Sequence, residues 1–307
     1  RRRPLLFGLA FLVLAAGAAQ ILSAGRPEAQ PSETPAPAAA AMAPAKASAI
    51  VVASASPEAV SLLQAPDRTA SVTASKFIVD PKTIGEIPAQ LPKALGEAAL
   101  SGDAAAIYEI ASRASEGRGL AHDPALAAHL YERAAQAGFA PAQERLAMLY
   151  EKGVGLPRDT GLAATWYERA ALAGNVRAMH NLATLLAAGA NGKPDYPTAL
   201  RWYSEAAETG LQDSQFNLGV LFARGIGTST DLARAFKWFT LAAAQGDAEA
   251  ARKRDDIATR LDPAGLAAAK SMVEQWRPRA VDPAANAGGS AVRGQTAALE
   301  QAVGRRG

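Results

Sequence analysis

Cysteine is absent from this chain of 307 residues, and aromatic residues make up only 6% of it. Without cysteine the chain can form no disulfide framework, no thiolate metal site and no cysteine nucleophile. Alanine and leucine are abundant instead, a balance that favours closely packed helices over β-sandwiches or barrels. The composition therefore predicts an all-α fold that depends on apolar burial alone.

Groups that could carry catalysis or bind a metal are also scarce. The three histidines, His122, His129 and His180, are not at the close spacing of metal ligands. The sequence contains no nucleophile-elbow motif and no phosphate-binding loop. We therefore expect no cofactor, no metal site and no enzymatic activity, including activity on peptidoglycan.

A basic patch is missing too, although the sequence pI is about 9.2 and the net charge is +3. The positive charge lies at the two ends, since residues 1–25 carry +3 and residues 279–307 carry +2. Residues 26–86 and 87–278 each carry −1. A nucleic-acid surface needs Lys and Arg clustered on one face, so nucleic acid is not an expected partner.

An apolar run follows three arginines at the start of the sequence. Residues 4–25 carry no charge and are long enough to cross a membrane as a helix. Arginines before the run place the N-terminus in the cytoplasm and the rest of the chain outside it. The alternative is a cleaved signal peptide, because residues 16–19 are small enough for a peptidase site. We favour a retained transmembrane helix over residues 1–25, because the run continues past those residues.

Two further segments lack an apolar period. Residues 26–81 are rich in Ala, Pro and Ser and are predicted to be a disordered linker that holds the folded part away from the membrane. Residues 279–307 are predicted to be a disordered tail. The folded part is expected to span residues 82–278.

A period of 36 residues runs through this folded part without a gap, which predicts an α/α solenoid of four helix-turn-helix repeats. Each repeat has an aspartate where its second helix should begin, as an N-cap. A glycine follows about fifteen residues later, suited to the left-handed conformation that ends a helix. Tryptophans at a shared height should pack in the core. These columns are Asp123, Asp159, Asp195 and Asp231; Gly138, Gly174, Gly210 and Gly246; and Trp166, Trp202 and Trp238.

Such columns resemble the Sel-one-like repeat family, a relative of the tetratricopeptide repeat. The strongest matches to its Ala-x-x-Trp-Tyr-x-x-Ala-Ala-x-x-Gly pattern start at Ala163, Ala199 and Ala235. Leu130 replaces the tryptophan in the first repeat. Capping helices are expected at both ends, the last one beginning at Asp262. The resemblance implies a solenoid that binds other proteins.

The flanking segments also resemble the periplasmic half of the PodJ-type polar localisation factors of alphaproteobacteria. The matching segments include residues 178–182, 213–218 and 282–286. The resemblance implies a cytoplasmic coiled coil upstream of the membrane span, and a role in cell polarity. The peptidoglycan-binding domain of some members is not recognisable in this sequence, so wall association has no support here.

Candidate partner-binding residues follow if the first helix of each repeat lines the inner side of the solenoid, as in tetratricopeptide relatives. One column of residues should then point into the groove, and the next column lies one helical turn further on. Two asparagines occupy an adjacent column, where relatives can hydrogen-bond the backbone of a ligand. The columns are Tyr108, Glu144, His180 and Phe216; Ser112, Met148, Thr184 and Val220; and Asn181 with Asn217.

The sequence thus favours a non-enzymatic scaffold that is tethered to the inner membrane and organises envelope, polar or division proteins from the periplasm. Its partners would be periplasmic or membrane proteins or peptides. The alternative is a secreted periplasmic repeat protein that binds and restrains a sensor kinase. An intact amino terminus would distinguish them.

Overall fold

A computed structural model describes residues 88, 90–190 and 192–287. This part of the chain is helical and contains no strand. The predicted membrane span and linker lie outside the described residues, and so does the start of the predicted folded part at residue 82. Among the described residues no helix is long and apolar enough to cross a membrane. The helices are α1 Lys93–Leu100, α2 Ala104–Glu116, α3 Pro124–Gln136, α4 Ala140–Lys152, α5 Thr160–Leu172, α6 Val176–Ala188, α7 Tyr196–Ala207, α8 Gln212–Arg224, α9 Leu232–Ala244, α10 Ala248–Arg260, α11 Pro263–Gln275 and α12 Pro283–Asn286.

The second helix of each repeat begins at an aspartate, as the sequence predicts. Asp123, for example, accepts hydrogen bonds from the backbone N–H groups of Ala125 and Leu126. Asp159, Asp195 and Asp231 cap the helices α5, α7 and α9 in the same way. Because each carboxylate satisfies N–H groups that have no partner within the helix, these aspartates are structural.

The helices form two layers. The first helices of the repeats are α2, α4, α6 and α8, and each packs against the second helix that follows it. Each second helix then packs against the first helix of the next repeat. Helices of both layers therefore have a neighbour on each side, but the first helices bury seven to nine residues each and the second helices five or six.

Tryptophans and an aromatic column fill the space between the layers. Trp166, Trp202 and Trp238 are only 9%, 8% and 4% exposed, so the expectation that they pack in the core is confirmed. Beside them lie buried rings one residue further along each second helix. These are Tyr131, Tyr167, Tyr203 and Phe239.

Glycines in the loop between the two helices of a repeat allow neighbouring repeats to touch. At Gly155 a Cβ atom would overlap the carbonyl of Pro124, the first residue of the second helix in the preceding repeat. At Gly227 a Cβ atom would lie 2.7 Å from the carbonyl of Tyr196. Both glycines have a positive φ, which glycine tolerates, and the close approach between repeats is a second reason for them.

Both predicted end caps are present. Helix α1 packs against α2 of the first repeat, and Gly102 after it has φ 83°. At the other end Asp262 caps α11, which packs against α9. These helices cover the faces that terminal repeats would otherwise expose.

The folded part extends further than the sequence indicated. Residues 279–287, predicted to belong to a disordered tail, lie along the repeats and include the short helix α12. The backbone N–H of Arg279 donates to the Glu208 carbonyl at 2.7 Å, and Asn286 bonds to the turn before α6. Hydrogen bonds to distant repeats order this segment, and a local search for apolar periodicity cannot detect them.

Candidate partner-binding face

The first helices offer a surface that runs across all four repeats. They bury more residues than the second helices do. We define the first-helix face as the partly exposed residues of α2, α4, α6, α8 and α10. The sequence-predicted groove residues all belong to these helices, but only some of them reach the surface.

The column predicted to supply the main anchors lies mostly inside the protein. Tyr108 and Phe216 are 1% and 6% exposed, and Glu144 is also buried. The Tyr108 ring packs edge-on against Tyr131 at 5.3 Å, and Phe216 packs in the same way against Phe239 at 5.6 Å. The expectation of exposed anchors was wrong, because these side chains fill the space between the two helices of their own repeat.

His180 belongs to the same column and is partly buried. Its ring contacts Tyr203 edge-on at 5.4 Å, and its Nδ1 lies 2.8 Å from the Ser214 hydroxyl in the next repeat. Burial lowers the pKa of His180, and Asp213 opposes the shift only weakly. His180 therefore stays neutral and joins the third repeat to the fourth.

The second predicted column is closer to the surface. Met148, Thr184 and Val220 are partly exposed, whereas Ser112 is buried. The Thr184 hydroxyl is 2.9 Å from the Tyr203 hydroxyl, so part of its hydrogen-bonding capacity is used internally. This column can offer a partner modest apolar contacts from Met148 and Val220.

Asn181 and Asn217 are also partly exposed. Each opposes the rise in pKa that burial causes at a tyrosine of the preceding repeat, Tyr167 for Asn181 and Tyr203 for Asn217. An amide has two donors and an acceptor with two lone pairs. Both side chains can therefore offer hydrogen bonds to a ligand.

Arg145 and Lys253 occupy the same height as these asparagines, one repeat before and one repeat after them. Neither was among the candidates predicted from the sequence, although subtracting 36 from 181 gives Arg145 and adding 36 to 217 gives Lys253. We call this column the floor. It consists of Arg145, Asn181, Asn217 and Lys253, all of them partly exposed.

Each end of the floor carries a cation, and Arg145 is the one in the second repeat. Burial raises the pKa of the Glu144 carboxyl, and the neighbouring Arg145 opposes that shift. Burial by itself would lower the pKa of the Arg145 guanidinium, but Glu144, at 3.8 Å, and Tyr108 raise it overall. Arg145 therefore stays charged at a position where its side chain is 32% exposed.

The floor column is not accessible in the first repeat. The equivalent residue is Glu109, whose side chain is completely buried and forms salt bridges of 2.9 Å with Arg113 and with Arg118. Since a buried carboxylate with cationic partners is not available to a ligand, the accessible floor starts at the second repeat.

Catalytic or metal-binding geometry is not found in the part of the chain described above. The carboxylates of the aspartate column point to separate helix ends, one in each repeat. No group of three His, Asp or Glu side chains within residues 88–287 could hold a metal ion. The face offers hydrogen bonds, two cations and apolar contact, which are the means of binding a protein segment.

Comparison with known proteins identifies the repeat. Residues 104–139, 140–175, 176–211 and 212–247 each match the Sel1 repeat. The chain therefore carries four tandem Sel1 repeats. Proteins built from Sel1 repeats generally mediate protein–protein interactions and are typically non-catalytic scaffolds.

Two solved structures are similar to this chain. The crystal structure of c5321, a protective antigen present in uropathogenic Escherichia coli strains displaying an SLR fold, has a TM-score of 0.52 and 27% identity, covering 62% of this chain and 41% of that one. This chain thus spans less than half of that antigen. A Sel1 repeat protein from Oxalobacter formigenes has a TM-score of 0.48 and 29% identity, covering 56% of this chain and 70% of that one. No curated protein matches the chain.

Proposed function

We propose that this Sel1 repeat protein is a scaffold, tethered to the inner membrane, that binds an extended segment of a periplasmic or membrane protein along the floor. The observation that carries the proposal is the floor itself. Its four polar side chains recur at one height in three consecutive repeats and in α10, and all four are partly exposed. The residues beside Arg145 and Asn217 are buried, namely Glu144, Leu146, Phe216 and Leu218. A regular row of donors and acceptors suits the regular backbone of an extended segment.

Cations at the rims of this face favour a partner segment that carries acidic residues. Lys152, Arg177 and Arg224 are exposed and form no salt bridge with another described residue. Lys253 on the floor is partly neutralised by Glu249 at 3.2 Å. Exposed charges of this kind guide association and contribute modestly to affinity.

Charge reversal of two rim residues tests the binding face. Arg177→Glu combined with Arg224→Glu should reduce co-purification of the partners that the unmodified chain captures, and the loss should be greater at low salt. Arg201→Glu, an exposed position on a second helix, is the matched control and should retain the partners. Equal capture by both variants would reject the first-helix face as the binding site.

The proposed location rests on the three arginines followed by the uncharged run of residues 4–25. The protein should fractionate with membranes, and protease should reach the repeats once the outer membrane is opened. Recovery of the repeats as a soluble, processed form would reject the anchor and favour the secreted regulator of a sensor kinase. Protection of the repeats in spheroplasts would reject the periplasmic location altogether.

Within this proposal, the likeness of residues 178–182, 213–218 and 282–286 to the PodJ-type factors supports a role in organising polar, division or other envelope proteins. That role predicts that a fluorescent fusion concentrates at a cell pole or at the division site. Uniform distribution around the envelope would remove polarity from the proposal and leave the scaffold.

A further inference from the structure

Residues 276–287, which we call the strap, leave the last helix and run back along the solenoid. They first contact the turn between the third and fourth repeats, residues 208–211. They then contact the turn between the second and third repeats, residues 173–175. The strap is therefore in contact with both turns that flank the third repeat.

The first anchor is at the end of α7. The Trp276 indole N–H donates to a Glu208 carboxylate oxygen at 2.7 Å, and the Arg279 backbone N–H donates to the Glu208 carbonyl at 2.7 Å. The Arg279 guanidinium donates to the carbonyl and to the carboxylate of Glu205, both at 2.9 Å. The carbonyls at the end of a helix receive no hydrogen bond from an N–H of the same helix. The strap supplies donors to two of them and so caps α7.

The second anchor is an exchange of hydrogen bonds between two asparagines and the adjacent backbone. Asn286 accepts from the Val176 N–H at 2.8 Å and donates to the Gly174 carbonyl at 3.0 Å. Asn175 donates its amide to the Ala285 carbonyl at 2.7 Å. Ala285 lies beside Gly174, where a Cβ atom would be 3.8 Å from its methyl group.

The middle of the strap is held by hydrogen bonds and buries no side chain, since residues 277–284 are exposed. Apolar contact is confined to its two ends, where Ala285 is 5% exposed and Trp276 and Ala287 are partly buried against the core. Segments with few buried apolar contacts open at free energies far below that of global unfolding. The repeats beneath, by contrast, contain a continuous apolar core.

From this geometry we propose that the strap is a latch, which holds the two turns flanking the third repeat at a fixed separation and opens while the repeats stay folded. Helices α6 and α8 start directly after these turns, at Val176 and Gln212. The separation of the turns therefore sets the spacing between Asn181 and Asn217 on the floor. Opening of the strap lets that spacing change.

Distance measurements between spin labels test the latch, and the absence of cysteine from the chain allows labels at chosen positions. Labels on Glu168→Cys and Ala244→Cys, both exposed on second helices, report the separation of the second and fourth repeats. Adding Arg279→Ala and Asn286→Ala should broaden the distance distribution and shift its mean by about 1–2 Å, the scale of helix shifts at packed interfaces. An unchanged distribution would overturn the proposal.

Arg277→Ala is the matched control. Arg277 is exposed, and its guanidinium bonds to the carbonyls of Glu274 and Trp276, within the same part of the chain. This variant should leave the label distances as they are in the unsubstituted strap. A shift as large as that of the double variant would show that any change in the strap perturbs the solenoid, and would count against the two anchors.

Amide hydrogen exchange on the unmodified full chain decides the matter even if the double variant fails to fold. The Arg279 and Val176 amides, which donate to Glu208 and to Asn286, should exchange at least about tenfold faster than amides in the middle of α9, because the strap opens locally. Exchange at the same rate as α9 would show that the strap unfolds only with the whole solenoid. That result would also overturn the latch while leaving the proposed binding face untouched.

Discussion

At the scale of single residues, position within a repeat determines the role of a side chain, but exposure cannot be inferred from that position alone. The sequence correctly places the aspartate caps and the buried tryptophans. It fails for Tyr108 and Phe216, because a first helix packs against its own second helix and also against the second helix of the preceding repeat. The buried sector of the helix is therefore wider than the leucine spacing indicates.

Phe216→Ala tests this corrected assignment. The side chain is 6% exposed and packs against Phe239, so its removal should lower the free energy of unfolding by about 3–5 kcal/mol. Arg224→Ala, exposed two turns later on the same helix, should change it by less than about 0.5 kcal/mol. Urea denaturation of both variants measures the two free energies of unfolding. Similar values would show that Phe216 is not buried in the core.

His180 makes the stability of the repeats sensitive to pH. Burial lowers its pKa in the folded state below the ordinary value of 6.5, so the unfolded chain binds a proton more readily than the folded one. The contribution of neutral His180 to the free energy of unfolding is therefore complete above pH 6.5. It is lost as the pH falls through and below that value.

The free energy of unfolding should accordingly fall between pH 7.5 and pH 5.5 by a greater amount in the unmodified chain than in His180→Gln. His122 is exposed, so His122→Gln serves as a control that should keep the pH dependence. Denaturation midpoints at the two pH values measure the effect. If His180→Gln retains the whole pH dependence, the protonation of another group causes it.

At the scale of helices and loops, the sequence predicts the repeat pattern and both end caps. Asp caps, ending glycines and a fixed period are local features, which a single sequence records directly. Contacts between distant segments are not recorded in this way. The strap is the clearest case, since Asn286 bonds to Gly174, 112 positions earlier.

The loop glycines allow a matched test of contact between repeats. Gly155 and Gly119 occupy the same position in successive repeats, with φ of 73° and 72°. A Cβ at Gly155 would overlap the backbone of Pro124, whereas a Cβ at Gly119 would meet nothing within 4 Å. Gly119→Ala should therefore cost about 1–2 kcal/mol from backbone strain alone.

Gly155→Ala should cost the same strain and about 1–3 kcal/mol more from overpacking between repeats. Thermal melts followed by circular dichroism would measure the difference. Equal destabilisation by the two substitutions would mean that the loop contact between the first and second repeats contributes nothing to stability.

At the scale of the whole molecule, four Sel1 repeats between two caps form a folded body whose function depends on its surface. The sequence predicts the all-α solenoid, and the family comparison confirms the repeats. The floor required the structure, because the sequence alone does not show that Arg145 is partly exposed between the buried Glu144 and Leu146. Membrane tethering, periplasmic exposure and polar organisation stay predictions from the amino-terminal sequence and the flanking segments.

Photocrosslinking in cells that produce the protein tests the central claim most directly. A crosslinkable residue at Lys152, Ala188 or Arg224 lies on the exposed rim of the first-helix face, and one at Glu168 or Arg201 lies on the second helices. The account predicts that the rim positions crosslink to a common partner protein and that the second-helix positions do not. Crosslinks from Glu168 and Arg201, with none from the rim, would contradict it.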